Sequence, residues 1–114
     1  MKNDLQKRLF KFSVEIIKKV RNLPTSTEYK IISYQLLKSA TSVGANYEEA
    51  QGAVSKADFS NKVGIALKEI RETNYWIRII IEILESTDNW KVLEDESREL
   101  MNILGSIHSK TSKR

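Results

Sequence analysis

The side chains best suited to catalysis or metal binding in this sequence are two carboxylate clusters and one histidine. The clusters are Glu48-Glu49 and Glu94-Asp95-Glu96, and the histidine is His108. Di-iron helical bundles pair a glutamate with a histidine three residues later, and neither cluster has that spacing. Cysteine is absent, which excludes thiolate metal sites and cysteine nucleophiles. We therefore predict no catalytic residue, no metal site and no cofactor, and we do not expect an enzyme.

Basic residues near the start of the sequence form the best candidate for a binding surface. The net charge is +4, but residues 1–23 alone carry seven Lys or Arg against two acids. Side chains at helical spacing share a face, and clustered positive charge attracts nucleic-acid phosphates. A charged face that only contacts solvent is the alternative. The candidate nucleic-acid contacts are Lys7, Lys11, Lys18, Lys19 and Arg21.

Apolar residues recur at helical spacing in four segments, and these segments must position the charged surface. We predict helices over about residues 4–22, 26–51, 56–86 and 90–109, followed by a basic tail at 110–114. Short links make neighbouring helices antiparallel. The predicted fold class is therefore all-α, an antiparallel up-down-up-down four-helix bundle forming a single domain over residues 1–114.

Local signals mark the ends of these helices. Pro24 ends the first helix, and Thr25 with Glu28 three residues later is a capping-box pattern for the second. Gly52 is the expected stop of the second helix. Ser55 is the expected N-cap of the third.

The third helix is apolar over more than one face. Beside its main stripe lies a second arc made of Ile65, Trp76, Ile79, Ile80 and Ile83. Large apolar patches seldom stay exposed on a monomer, so we predict that part of this arc joins copies of the chain. The alternative is a wide stripe that contacts two neighbouring helices of the same chain. The candidate oligomer-interface residues are Ile65, Trp76, Ile79 and Ile83.

A polar seam lies beside the apolar stripe of the second helix. We predict a structural role for it, because buried polar groups must find hydrogen-bond partners. In particular, Asn46 is expected to bond across the bundle to Glu69; a ligand-binding role is the alternative. The seam consists of Gln35, Ser42, Asn46, Glu49 and Glu69.

The middle of the chain carries a longer pattern, YQLLKSATSVGANYEEAQGAVSKADFSNKVGIALKEIRET. Here the chain resembles the bacterial four-helix-bundle proteins related to those encoded in intervening sequences of 23S ribosomal RNA genes. Ala50 departs from the pattern, since many members have glycine there. The positions that match are Gln35, Leu36, Lys38, Ala40, Ser42, Asn46, Glu49, Asp58, Phe59, Ile65, Ala66 and Glu69.

The resemblance implies a bundle that assembles into homo-oligomers, often five-membered rings. Its relatives include accessory proteins of diversity-generating retroelements, which are similar to basic barrels that bind nucleic acid and a reverse transcriptase. A homo-pentamer, and a reverse transcriptase or other ribonucleoprotein component as partner, are therefore expectations that come from the resemblance alone.

Two functional hypotheses follow. The first is a non-enzymatic oligomeric bundle that binds structured RNA or DNA through its basic surface. The alternative is a protein-protein interaction scaffold without nucleic-acid binding; a hydrolase with paired carboxylates is a third possibility that the sequence does not localise. No apolar run is long enough to cross a bilayer, so we expect a cytoplasmic protein with no membrane partner.

Overall fold

Four helices in an antiparallel arrangement form the fold. The computed structural model describes residues 2–85 and 88–112, and no strand occurs in them. Each helix packs on the next, and the first also contacts the fourth, so the first and third lie at opposite corners of a bundle about 46 Å long. The predicted up-down-up-down four-helix bundle is confirmed. The helices are α1 (Lys2–Val20), α2 (Thr27–Gln51), α3 (Lys56–Ile83) and α4 (Asp88–Thr111).

Three predicted capping residues can be compared with the structure; two are confirmed and one is wrong. Ser55 is the N-cap of α3, as predicted, and its side-chain oxygen accepts a hydrogen bond from Asp58 N at 3.0 Å. Gly52 follows the last residue of α2, also as predicted. The prediction of Thr25 as a capping residue is wrong. Ser26 occupies the N-cap of α2, and its side chain makes no capping hydrogen bond.

The remaining helix ends differ from the prediction by up to three residues. The α1 helix begins and ends two residues earlier than predicted, and α3 ends at Ile83. Asp88 and Asn89, which the predicted ranges placed between helices, lie in the first turn of α4. Positions 86 and 87, and the last two residues of the predicted tail, lie outside the described residues.

The bundle interior follows the predicted apolar spacing. The apolar stripe of α2 is buried along its whole length: Tyr29, Ile32, Leu36, Ala40, Val43, Tyr47 and Ala50. The other helices add Leu9, Ile16, Ile70, Ile77, Leu100 and Leu104 to the same core. Complete burial of one such side chain stabilises the fold by about 1.5–3 kcal/mol. None of the described helices combines the length and the apolar content needed to cross a membrane.

Two side-chain hydrogen bonds inside the core fix how α3 sits against its neighbours. The hydroxyls of Thr73 and Ser39 on α2 lie 2.9 Å apart, and Asn74 Nδ2 donates to Ser97 Oγ on α4 at 2.9 Å. All four residues are buried. A buried polar group that loses its partner costs about 1–3 kcal/mol, so sliding either neighbour along α3 is unfavourable.

Two helical glycines differ in the space around them. A Cβ atom added at Gly44 would lie 3.6 Å from Leu9 O, whereas one at Gly64 would lie 3.0 Å from Nε2 of His108. Replacing glycine with alanine inside a helix gains about 0.5–1 kcal/mol. We expect Gly44→Ala to raise the free energy of unfolding by about that amount, and Gly64→Ala to gain clearly less because the imidazole must move.

Urea denaturation followed by circular dichroism measures both changes. The matched test is Gly64→Ala in a His108→Ala background, where the full gain should appear. If Gly64→Ala already gives the full gain with His108 present, the close contact does not constrain this position.

Candidate nucleic-acid interface

Three of the five predicted basic contacts lie together on the outer face of α1. Lys7, Lys11 and Lys18 are exposed, and their spacing of four and seven residues places them on one side of the helix. They span about 16 Å along the helix axis. Because α1 is at a corner of the bundle, this row faces away from the core.

The other two predicted contacts are placed differently. Lys19 is half-buried. It lies three turns from Arg8 on the same side of α1, and that side faces α4. Arg21 is exposed but follows the end of α1 at Val20. These two residues do not extend the row formed by the three outer lysines.

Arg8 is held by the carboxylates of α4. Its Nε and Nη2 donate to the two carboxylate oxygens of Glu96 at 2.9 and 2.8 Å, and Nη2 also donates to Glu99. The hydrogen bonds to Glu96 raise the pKa of the Arg8 guanidinium above its ordinary value. This arginine therefore joins α1 to α4, and its charge is compensated within the chain.

A second basic row, on α2, was not among the predicted contacts. Lys30, Tyr34 and Lys38 are exposed and four residues apart, so they share one face. Residues 24–54 carry only two basic residues against three acids, and that total conceals the row. The spacing of four residues, with an aromatic ring in the middle, was the signal that could have revealed it.

A shallow groove lies at the contact of α1 and α2, beside Lys7 of the first row and beyond the Lys38 end of the second. Its helices are close enough for Ser13 Oγ to donate to Ala40 O at 3.3 Å. One pocket of about 380 Å³ at its α1 side is lined by Gln6, Lys7, Phe10 and Glu48. The groove continues along small residues, which leave the Phe10 ring uncovered: Ser13, Thr41, Gly44 and Ala45.

The predicted oligomer-interface residues are only partly covered by their own chain. Ile80, which the sequence placed in the same arc, is completely buried in the bundle core. Trp76 and Ile79 are half-buried against that core, and Ile65 is half-buried as well. Ile83 remains 45% exposed. The wide-stripe alternative thus accounts for Ile80 and for part of Trp76 and Ile79, but not for Ile83.

Further exposed apolar side chains border this part of α3. Tyr75 is exposed and lies one turn from Ile79, which lies one turn from Ile83. With Ser39 opposite Thr73, the antiparallel pairing of α2 and α3 places the exposed Ile31 at the level of the Ile83 end of α3. Ile31 is also three residues before Tyr34 and seven before Lys38, so it borders the basic row of α2. We call Tyr75, Trp76, Ile79 and Ile83 the α3 apolar patch.

The predicted polar seam divides into separate local interactions. Asn46 Nδ2 donates to O and Oγ of Ser42, at 2.9 and 3.0 Å, on its own helix, and the expected bond to Glu69 does not occur in the described chain. The helix register explains why. With Ser39 opposite Thr73, Asn46 lies opposite about residue 66, so Glu69 is almost one turn too far along α3.

Other members of the seam do connect helices or support them. Glu49 accepts a hydrogen bond from Lys62 Nζ of α3 at 2.9 Å, which raises the pKa of Lys62. The backbone carbonyl of Glu69 accepts a hydrogen bond from Thr73 Oγ1 at 2.8 Å. Gln35 is half-buried on α2. The structural role of the seam as a whole stays a prediction.

In the second carboxylate cluster, Glu94-Asp95-Glu96, Glu94 forms ion pairs within α4. Glu94 is only 6% exposed, and its Oε2 accepts hydrogen bonds from Arg98 at 3.1 and 2.7 Å, while Lys91 lies 3.4 Å from Oε1. The hydrogen bonds from Arg98 hold the pKa of the Glu94 carboxyl below its ordinary value of 4.5. Within residues 2–85 and 88–112, no three His, Cys, Asp or Glu side chains form a group that could hold a metal ion.

The lowered pKa of Glu94 predicts a dependence of stability on pH. A carboxyl whose pKa is lower in the folded than in the unfolded state stabilises the fold above about pH 4.5, and that contribution is lost as the pH falls through the folded value. We expect Glu94→Gln to cost about 1–2 kcal/mol at pH 7 and progressively less below about pH 4.

Denaturation curves between pH 3 and 7 measure this difference. Asp95→Asn, at the exposed neighbouring carboxylate, is the matched control and should change the free energy of unfolding little at any pH. A deficit in Glu94→Gln that stays constant over the whole range would contradict the role assigned to the ion pairs.

Comparisons with known proteins agree with this architecture. The chain is similar to a protein of unknown function from the S23 ribosomal protein family of Bacteroides thetaiotaomicron, known from a crystal structure. The two share 35% sequence identity over 91% of this chain and 97% of the other, with a TM-score of 0.83. No curated protein matches the chain. Residues 1–106 match the family described as 23S rRNA-intervening sequence protein, and the chain belongs to that family.

Proposed function

We propose that the protein is a cytoplasmic, non-enzymatic, oligomeric helical bundle that binds structured RNA or DNA through its α1–α2 basic face. This face consists of Lys7, Lys11, Lys18, Lys30 and Lys38. The observation that carries the proposal is the placement of these five exposed lysines on two adjacent helices. Positive charge gathered in this way attracts phosphates without reading base sequence.

The placement of charge on α1 and the descriptions of the relatives both support a ligand that carries phosphates. Arg8, the α1 arginine that α4 carboxylates neutralise, is directed away from the α1–α2 basic face, so the positive charge on the outer side of α1 is carried by Lys7, Lys11 and Lys18. The family description refers to 23S rRNA, and the similar crystal structure is assigned to a ribosomal protein family. Those descriptions apply to the relatives, and they make RNA the first ligand to test.

Self-association through the α3 apolar patch would strengthen such binding. Because α1 and α3 occupy opposite corners of the bundle, copies joined through α3 would leave the lysines of α1 facing outward. Each added copy contributes another basic face, and several weak contacts on one ligand add up to tighter binding. A five-membered ring, and a reverse transcriptase or other ribonucleoprotein component bound to it, extend the proposal on the basis of the family resemblance.

The nucleic-acid proposal predicts an affinity that falls steeply with salt. We expect Lys11→Glu/Lys18→Glu to weaken RNA binding more than tenfold at low salt, and to reduce the salt slope by about 1 for each lost phosphate contact. Fluorescence anisotropy with a labelled hairpin RNA, titrated at several salt concentrations, measures both quantities.

The matched control is Lys56→Glu/Lys110→Glu, which makes the same charge change at exposed lysines of α3 and α4. It should retain most of the affinity. Equal loss in both double variants would show that only net charge matters. Absence of salt-sensitive binding by the unmodified protein would reject the proposal in favour of the interaction scaffold, for which the α3 apolar patch is the docking surface.

The oligomer is tested separately at Ile83. Because this side chain is already 45% exposed, Ile83→Glu should leave the bundle folded while placing a charge in the α3 apolar patch. We expect light scattering to show a multimer for the unmodified protein and a shift towards one chain for the variant. Val92→Glu, at an exposed apolar residue of α4, is the control and should not dissociate the assembly. A one-chain mass for the unmodified protein at all micromolar concentrations would contradict the prediction.

A further inference from the structure

Two aromatic side chains are exposed on the α1–α2 basic face, Phe10 beside the α1 row and Tyr34 within the α2 row. Phe10 is 66% exposed and Tyr34 is 63% exposed. Large aromatic rings normally contribute their area to a core or an interface, so two uncovered rings on one face indicate a ligand surface. The sequence did not suggest this arrangement, because the rings belong to different helices and are 24 positions apart in the chain.

Each ring has lysines next to it. Lys7 precedes Phe10 by one helical turn and lines the same pocket, and Lys11 follows it directly. Tyr34 has Lys30 one turn before it and Lys38 one turn after it on the same exposed face. A ligand that covers either ring would therefore place its neighbouring groups within reach of positive charge.

Aromatic rings interleaved with lysines match the chemistry of an unpaired nucleic-acid strand. In such a strand the base faces are free to stack on side-chain rings, and stacking on an aromatic side chain contributes about 1–3 kcal/mol per base. In a duplex the base faces are already stacked, and mainly phosphates, sugars and groove edges remain accessible. A purely phosphate-binding face would gain nothing from Phe10 or Tyr34.

We propose that the α1–α2 face binds an unpaired strand of RNA or DNA, with bases stacked on Phe10 and Tyr34 and phosphates at the neighbouring lysines. This inference rests on the proposed function and names the part of a structured nucleic acid that is bound, namely a loop or a single-stranded end. Gln6 and Glu48, which line the Phe10 pocket, offer an amide and a carboxylate to the hydrogen-bonding edge of the base there.

The distance between the rings sets the length of strand involved. The contact between Gly44 and Leu9 places Phe10 opposite about residue 43, nine residues along α2 from Tyr34. Nine residues of helix correspond to about 14 Å. This is the offset along the helix axes, and the rings also lie on separate helices, whose axes are about 8–10 Å apart. Stacked bases are about 3.4 Å apart, so the two rings would hold bases at least about four steps apart in one strand. The expected site size is therefore at least about five nucleotides per chain.

The test compares a single strand with a duplex. A labelled 12-nucleotide RNA without self-complementarity, and the same RNA annealed to its complement, are titrated with the unmodified protein, Phe10→Ala and Tyr34→Ala. We expect each variant to bind the single strand about 5- to 150-fold more weakly and the double variant more weakly still, while affinity for the duplex changes less than twofold.

Three controls keep the result interpretable. Val92→Ala removes a side chain of similar exposure on α4 and should change neither affinity. Phe10→Leu keeps an apolar side chain without a ring, so it should lose single-strand affinity like Phe10→Ala while preserving local packing. Melting temperatures of all variants should stay within a few degrees, because both rings are largely exposed.

The outcomes separate this inference from the proposed function. If Lys11→Glu/Lys18→Glu weakens binding but the aromatic variants do not, the stacking role is rejected and the basic face stands. If the unmodified protein binds neither RNA, the proposed function itself fails. Equal losses on single strand and duplex would overturn the stacking role. Loss of self-association in the aromatic variants would also overturn it, because the rings would then contact another copy of the chain.

Discussion

The packing of α3 between α2 and α4 is the constraint on which the rest of the structure depends. Its buried stripe supplies the centre of the core, and the adjacent residues Thr73 and Asn74 bond to opposite neighbours at one level of the bundle. Hydrophobic burial favours any alignment that matches the stripes, whereas these two bonds favour one register. That register determines which surface residues of α2 and α4 stand beside those of α3.

With the three helices fixed, α1 is placed at the corner opposite α3, and the molecule acquires two different outer faces. One face is apolar and belongs mainly to α3. The other carries lysines and two aromatic rings, and belongs to α1 and α2. The hydrogen bonds from Arg8 to Glu96 and Glu99 support this division. They hold α1 against α4 and keep the charge of Arg8 off the outer face of α1.

The sequence predicted what depends on periodicity and could not predict what depends on contacts between distant residues. Helical spacing was sufficient for the four helices, the α2 stripe and the outer row of Lys7, Lys11 and Lys18. It could not show that Arg8 is neutralised by acids about ninety positions later, nor that Ile80 is buried while Ile83 is not. The bond expected from Asn46 to Glu69 failed because a periodic pattern assigns a face but does not fix the axial offset between two helices.

His108 is the only histidine of the chain, and its ring lies against Gly64 at the contact of α4 with α3. A lone imidazole gives a single set of ring-proton resonances in a proton NMR spectrum, away from most other signals. Those resonances provide a built-in spectroscopic reporter of whether this end of the bundle stays closed. They can be followed without labels or substitutions while the protein assembles or meets a ligand on its far side.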